Sequence, residues 1–327
     1  MNKKKLIEVL SIQSESYNQF RMFSYIIRQL KKIGCKYYTY NGCIYATKGE
    51  TSLYPCIVSH MDTVHNIEEN LTPIEVNGNI IGFNTVTMEQ IGIGGDDKVG
   101  VFIALECLNN FDNIKAVFFR DEETGCEGSC SPDEYFFNDC NFILQCDRRG
   151  NSDFINVANG VELSSKKFQN DIKGILKSYK YTFTNGMMTD VMALKENGIL
   201  CSMANISCGY YNPHSPNEYV NINDVEMCLN LVNSIIIKLY GIDYPCKYSP
   251  YIPPKKDKEL TDWYNVGNKG LKIIDYDYWD IESKYRKKAE TNCECCEEVG
   301  ELEYIPEFNM DMCEKCINQY VTYYKYQ

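Results

Sequence analysis

Apolar positions recur at helical spacing in several stretches of the chain. In residues 17–33, Met22, Phe23, Ile26, Ile27, Leu30 and Ile33 fall on one face, and Gly34 offers a stop. Residues 99–108 read as a helix, as do residues 164–176, where Phe168, Ile172, Ile175 and Leu176 share a face. Residues 223–240 carry the clearest helical pattern, with Asn223 as the expected cap, Glu226 three residues on and Gly241 after the end. Short apolar runs at 54–59, 115–120, 142–146 and 200–206 read as strands. Asn41-Gly42 separates two strand-like stretches, 36–40 and 43–46, and Asn77-Gly78 marks a second hairpin. Strands alternating with helices predict an α/β sandwich with a largely parallel sheet. In such sheets functional groups gather at the carboxyl ends of strands.

After Gly241 the texture changes. Residues 244–256 carry four prolines and little periodicity, the pattern of a connecting arm. The expected division is residues 1–242 as a catalytic domain, 243–290 as the arm and 291–327 as a cysteine module. A hydrophobic content of 44% fits a globular chain, and a net charge of −12 argues against a general nucleic-acid binder. No apolar region of signal-peptide type follows Lys5, and no run of 18 apolar residues exists, so a cytoplasmic protein without membrane spans is expected. Seventeen cysteines, an odd number in a long chain, fit reduced thiols plus one metal cluster better than disulfides.

Five segments lie in loops or just beyond predicted strands: SHMDTV (59–64), GGDDKVG (94–100), DEETG (121–125), Asp147 in QCDRRG, and NPHSPNE (212–218). Zinc takes imidazole nitrogen and carboxylate oxygen, and His60, Asp96, Glu123, Asp147 and His214 supply such donors. Asp62, two residues from His60, is placed to buttress its imidazole. Glu122 precedes a candidate ligand, where a general base belongs.

In this order the five segments resemble the co-catalytic zinc peptidases of the peptidase T, carboxypeptidase and aminoacylase group, over about residues 1–242. The resemblance implies a three-layer zinc exopeptidase-like domain. It makes Asp96 a bridging ligand, with His60 and Asp147 completing one zinc and Glu123 and His214 the other. Cobalt or manganese suit the same donors. It further implies a cis Asp96–Asp97 peptide, Asp62 orienting His60, and Glu122 as the base in amide hydrolysis.

The sequence also departs from that group. Only 67 positions separate Asp147 from His214, so the lid that most members insert there is expected to be missing. A lid-free core, with aspartate rather than glutamate at 147, leans toward aminopeptidases. Arg148 and Arg149 replace small residues and are candidates for holding a substrate carboxylate, against a structural role. The expected substrates are short peptides or, alternatively, N-acyl amino acids; a silent peptidase-like binding or adaptor protein is the rival from another class.

Cys293-x-x-Cys296 and Cys313-x-x-Cys316, sixteen residues apart, have structural zinc spacing of the ribbon or knuckle type. Surrounding glutamates disfavour nucleic acid there and favour a protein partner or a folded tail. Two catalytic zinc ions and one structural zinc ion are therefore expected.

Overall fold

A computed structural model describes residues 1–68, 70–248, 287–292, 299–305, 310–313 and 317. Helices α1 (Lys3–Ser11) and α2 (Phe20–Ile33) precede the hairpin β1 (Lys36–Tyr40) and β2 (Cys43–Lys48). Next come β3 (Tyr54–His60), β4 (Leu71–Val76), β5 (Asn79–Asn84), β6 (Glu89–Ile91), α3 (Gly95–Asn110), β7 (Ile114–Phe119) and β8 (Cys140–Arg148). Then follow β9 (Asp153–Ala158), β10 (Val161–Glu162), α4 (Lys166–Ser178), β11 (Thr182–Gly186), α5 (Asp190–Glu196) and β12 (Ser202–Ser207). The larger described region closes with β13 (Tyr210–Tyr211), β14 (Tyr219–Asn221) and α6 (Ile222–Leu239). Three further strands are β15 (Lys287–Asn292), β16 (Val299–Ile305) and β17 (Met310–Cys313), paired antiparallel.

The main sheet runs β1-β2-β7-β3-β8-β12-β9-β10, with β11 beside β9. Its central strands β7, β3, β8 and β12 are parallel, and the outer pairings β1–β2, β2–β7, β12–β9 and β9–β10 are antiparallel. The period of two along each strand divides the core between two faces. On β3, Ile57 joins the cluster packed under α1, α2, α3, α4 and α6, while Cys56 and Val58 join the cluster under α5. On β7, Ala116 and Phe118 face the first cluster and Val117 and Phe119 the second. Both faces are covered, which explains why these strands read as continuous apolar runs. This is the expected α/β sandwich of three layers.

A smaller antiparallel sheet, β13-β14-β5-β4 with β6 on β5, stands beside it. All strands between Asp147 and Cys208 join the main sheet, so among the described residues no separate lid sheet lies between Asp147 and His214. Past residue 242 the chain still packs on the core: Ser202 donates to the Tyr244 carbonyl at 2.8 Å, and the Tyr244 side chain is buried. Cys293, Cys296 and Cys316 lie outside the described residues, and Cys313 ends β17.

One correction concerns α6. The helix begins at Ile222, and Asn221, not Asn223, caps it by accepting from the backbone N–H groups of Asn223 and Asp224, each at 3.1 Å. The reason is register: β14 pairs through Asn221 with Asn79, so the chain turns one step earlier than the apolar period suggests. We expect Asn221→Ala to lower stability by about 1 kcal/mol in urea unfolding, and Asn223→Ala to change it by less than about 0.5 kcal/mol.

Candidate metal centre

Four of the five proposed ligands sit at or just beyond strand ends or at a helix start. His60 ends β3, Asp147 stands near the end of β8, Glu123 follows β7, and Asp96 opens α3. His214 lies on the loop between β13 and β14, at a φ of +59°. The parallel order β7-β3-β8 brings the first three to one edge of the sheet.

There the donors converge. His60, Asp96 and Asp147 form one group and Asp96, Glu123 and His214 a second, with the donor atoms of each group within 4.8 Å of one another. His60 Nε2 is 3.3 Å from Asp96 Oδ1 and 3.6 Å from Asp147 Oδ1. His214 Nε2 is 3.4 Å from Asp96 Oδ2 and 3.2 Å from Glu123 Oε2. The Asp96–Asp97 peptide is cis. His60 Nε2 and Glu123 Oε1 are buried without a hydrogen-bond partner. Buried polar atoms are rarely left so, and both belong to the donor cluster, which fits divalent cations held there.

The supporting shell is dense. His60 Nδ1 lies 3.0 Å from the Asp62 carbonyl and 3.3 Å from Asp62 Oδ1. The Asp62 carboxylate also accepts from the N–H groups of Glu122 and Glu123, at 3.0 and 3.3 Å, and from the Ser16 hydroxyl at 2.8 Å. Asp97 is fully buried and accepts from the N–H groups of His60 and Gly100, at 3.2 and 3.0 Å, and of the pair only Asp96 joins the donor groups. A side chain on Gly100 would meet Asp97 Oδ1 at 2.2 Å. Asp121 accepts from Gln19 and from Arg120, so it anchors the loop rather than serving as the base. Cys126 Sγ lies 3.5 Å from Glu122 Oε1, and Cys146 Sγ lies 3.9 Å from Cys228 Sγ; neither is in a donor group.

Sequence reasoning missed several of these partners. Glu218, fully buried, accepts from the N–H groups of Gly94 and Asp96 at 2.7 and 3.1 Å and pairs with His65 Nε2 at 2.7 Å. It thereby clamps the backbone of Asp96, the candidate shared by both donor groups, and ties His65 to that loop. Gln145 and Asn205, matched in register across β8 and β12, hold Asp147 with Thr189. Period two on β8 is the signal for Gln145, since residues two apart share a face. Glu218 stood inside the NPHSPNE segment, but only the tertiary fold shows what it touches.

The cluster opens into a cleft of about 450 Å³ whose walls include Glu122, Arg148, Arg149, Met187, Met188 and Tyr210. Arg148 Nε is 3.3 Å from Asp153, whereas Arg149 is exposed.

Burial and the crowding of charges of both signs set the proton affinities. Burial alone would lower the His60 pKa, but Asp147, Asp62 and Asp96 outweigh it and raise it well above the usual value. The hydrogen bond to Asp96 lifts His214 to about 9. Burial and the Asp96 charge push Glu123 up to about 8 and raise Asp147 strongly. Burial opposes the charge on Asp96, yet His214 and His60 hold its pKa below the usual range. Groups with raised folded pKa values bind more protons folded than unfolded, so their stabilisation is lost as pH rises through those values. The window runs from the ordinary glutamate value, about 4.5, to about 9. Chelated protein should therefore melt at a lower temperature at pH 8.5 than at pH 6, and added zinc should close that gap. Scanning calorimetry checks this; a chelated melting temperature flat across that window refutes it.

No family model matches the sequence, and no curated relative matches it. Solved structures do match its fold. The aminopeptidase PepT from Bacillus cereus ATCC 10987 aligns with a TM-score of 0.61 at 13% identity, over 72% of this chain and 97% of that one. A tripeptidase from Staphylococcus aureus subsp. aureus mu50 aligns with a TM-score of 0.56 at 14% identity, over 72% and 96%. A structure named as an endoglucanase, from Thermotoga maritima, aligns with a TM-score of 0.51 at 15% identity, over 71% and 96%. Among the described residues no helix is long and apolar enough to cross a membrane. The chain thus shares the α/β fold of these structures, with a candidate metal centre at the carboxyl edge of its sheet.

Proposed function

We propose that the chain is a metal-dependent exopeptidase acting on short peptides. His60, Asp96 and Asp147 would hold one divalent cation and Asp96, Glu123 and His214 a second, zinc being the best match to these donors. The observation that carries this reading is the division of one carboxylate: Asp96 turns Oδ1 toward His60 and Oδ2 toward His214. When bound, such ions lower the pKa of coordinated water and polarise the scissile carbonyl.

The chain's own groups supply the proton transfers and the positioning. Glu122 lines the cleft, with its backbone N–H held by Asp62 and its Oε2 3.9 Å from His60 Nε2. It accepts a proton from the attacking water and returns it to the leaving amine. Burial, with the charges of Asp96 and Asp62, raises its pKa, which makes it a stronger base than an exposed glutamate. Asp62 fixes the His60 ring through Nδ1 and so aims Nε2 at the cluster. The cleft size suits a small ligand. Amino-end cleavage is favoured because the segment between Asp147 and His214 builds core sheet instead of a lid.

Glu122→Gln should lower the hydrolysis of a tripeptide about 10²–10⁴-fold with metal content unchanged. Failure of the metal-loaded wild type to turn over any short peptide would reject the reading in favour of a silent binding protein, and preference for N-acyl amino acids would favour a deacylase. We further propose that residues 291–327 form a module in which Cys293, Cys296, Cys313 and Cys316 hold a structural zinc, following the catalytic domain and arm divided at residues 242 and 290. Elemental analysis should then find about three zinc ions per chain, and Cys313→Ser should remove one of them while Asp96→Ala removes the other two. An unchanged count in either variant would contradict the assignment.

A further inference from the structure

We infer that Arg149 holds the free carboxylate of the substrate, so that the site selects short peptides by their carboxyl end. The inference rests on the peptidase reading and names the substrate class for it.

Arg149 lines the same cleft as Asp96, Glu122, Glu123, Asp147 and His214. It also lines a neighbouring hollow of about 390 Å³, so it stands on the partition between the two spaces. Its main chain is fixed: the Ser207 hydroxyl donates to the Arg149 carbonyl at 2.8 Å, and Gly150 N–H donates to the Tyr210 carbonyl at 2.9 Å. Its side chain is not committed. Arg148 pairs with Asp153, but among the described residues no carboxylate lies within ion-pair distance of the Arg149 guanidinium. An arginine without an acidic partner is notable beside four cleft carboxylates in a chain of net charge −12. Those carboxylates face the candidate metal centre and would be balanced by its ions, which leaves Arg149 as the cation open to an incoming anion. The other permanent cation of the cleft wall is Arg148, already paired. Met187 and Met188 add exposed apolar wall and offer an anion nothing.

The spacing sets the substrate length. Arg149 follows Asp147 by two residues at the end of β8, at most about 7 Å along the chain. An extended peptide advances at most about 3.6 Å per residue. With the reach of the arginine side chain added, a carboxylate held there lies roughly two or three residues from a carbonyl at the metal centre. Guanidinium presents two parallel N–H donors to a carboxylate, a geometry that an uncharged amide end cannot match.

The test compares trialanine with trialanine amide on the zinc-loaded full chain. The amide should show a KM about 10- to 100-fold higher at similar kcat. Arg149→Gln should raise the KM of trialanine about 10- to 100-fold, to near that of the amide, and raise the KM of the amide several-fold less; Arg149→Lys should restore part of the difference. Equal kinetics for acid and amide in the wild type, or an equal loss on both in Arg149→Gln, would overturn the inference. Calorimetric binding of both peptides to the Glu122→Gln protein gives a second readout that needs no turnover. There the acid should bind more tightly by the same factor, and equal or undetectable binding counts against Arg149. Absence of hydrolysis of both peptides sinks the peptidase reading instead, while the binding comparison still decides the role of Arg149.

Discussion

Four carboxylates and two imidazoles must be held within a few ångströms, and the structure depends on meeting the cost of that crowding. Unit charges of like sign at 4 Å repel by about 1 kcal/mol in water and about 4 kcal/mol near a protein surface. No single contact offsets this. Instead the ligand-bearing residues are fixed through their backbones. Asp97 takes the N–H of His60, Glu218 that of Asp96, Asp62 those of Glu122 and Glu123, and Asn205 that of Asp147. Each bond ties main chain near or beyond a strand end or helix start to a side chain from another segment. The donor set is thereby preorganised, and the cations proposed to bind there would convert the remaining repulsion into attraction.

His214 is the exception. It is half-exposed and sits on a loop, while His60 is buried at the end of β3. The two donor groups therefore differ in rigidity although they share Asp96. The deeper group is built on strands β3 and β8, and the outer group borrows its imidazole from the β13–β14 connection. Loops occupy the low-stability end of a fold, so the outer group is the one that can loosen without disturbing the sheet.

The parallel core was legible because its strands are buried on both faces and so appear as unbroken apolar runs, as in residues 54–59 and 115–120. The candidate ligands were legible because they fall where those runs stop. The short strands β9, β10 and β11 and helix α5 lacked such signals and emerge only from tertiary pairing. Helix α1 carries three lysines in its nine residues, and its apolar stripe of Leu6, Val9 and Leu10 is too short to stand out. The helix cap lies at Asn221, two residues before Asn223, a boundary that hydrophobic period cannot resolve. The clamps escaped for a different reason. Glu218 and Asn205 act on backbone N–H groups 122 and 58 positions away, and no local pattern encodes a partner at that distance.

Structures named as peptidases and one named as an endoglucanase share this architecture, so the fold by itself leaves the chemistry open. What narrows it is the combination found at one edge of the sheet. A carboxylate divided between two imidazoles suits the paired cations proposed above, and the half-buried Glu122, its backbone tied to Asp62, suits the proposed base. The β8 strand then joins the chemistry to recognition. Its end delivers Asp147 to the metal centre and, two residues later, Arg149 to the cleft wall. In the proposed reading, one strand end sets the distance between the bond to be cut and the carboxylate held by Arg149. No lid closure enters that reading, since the strands between Asp147 and Cys208 belong to the main sheet.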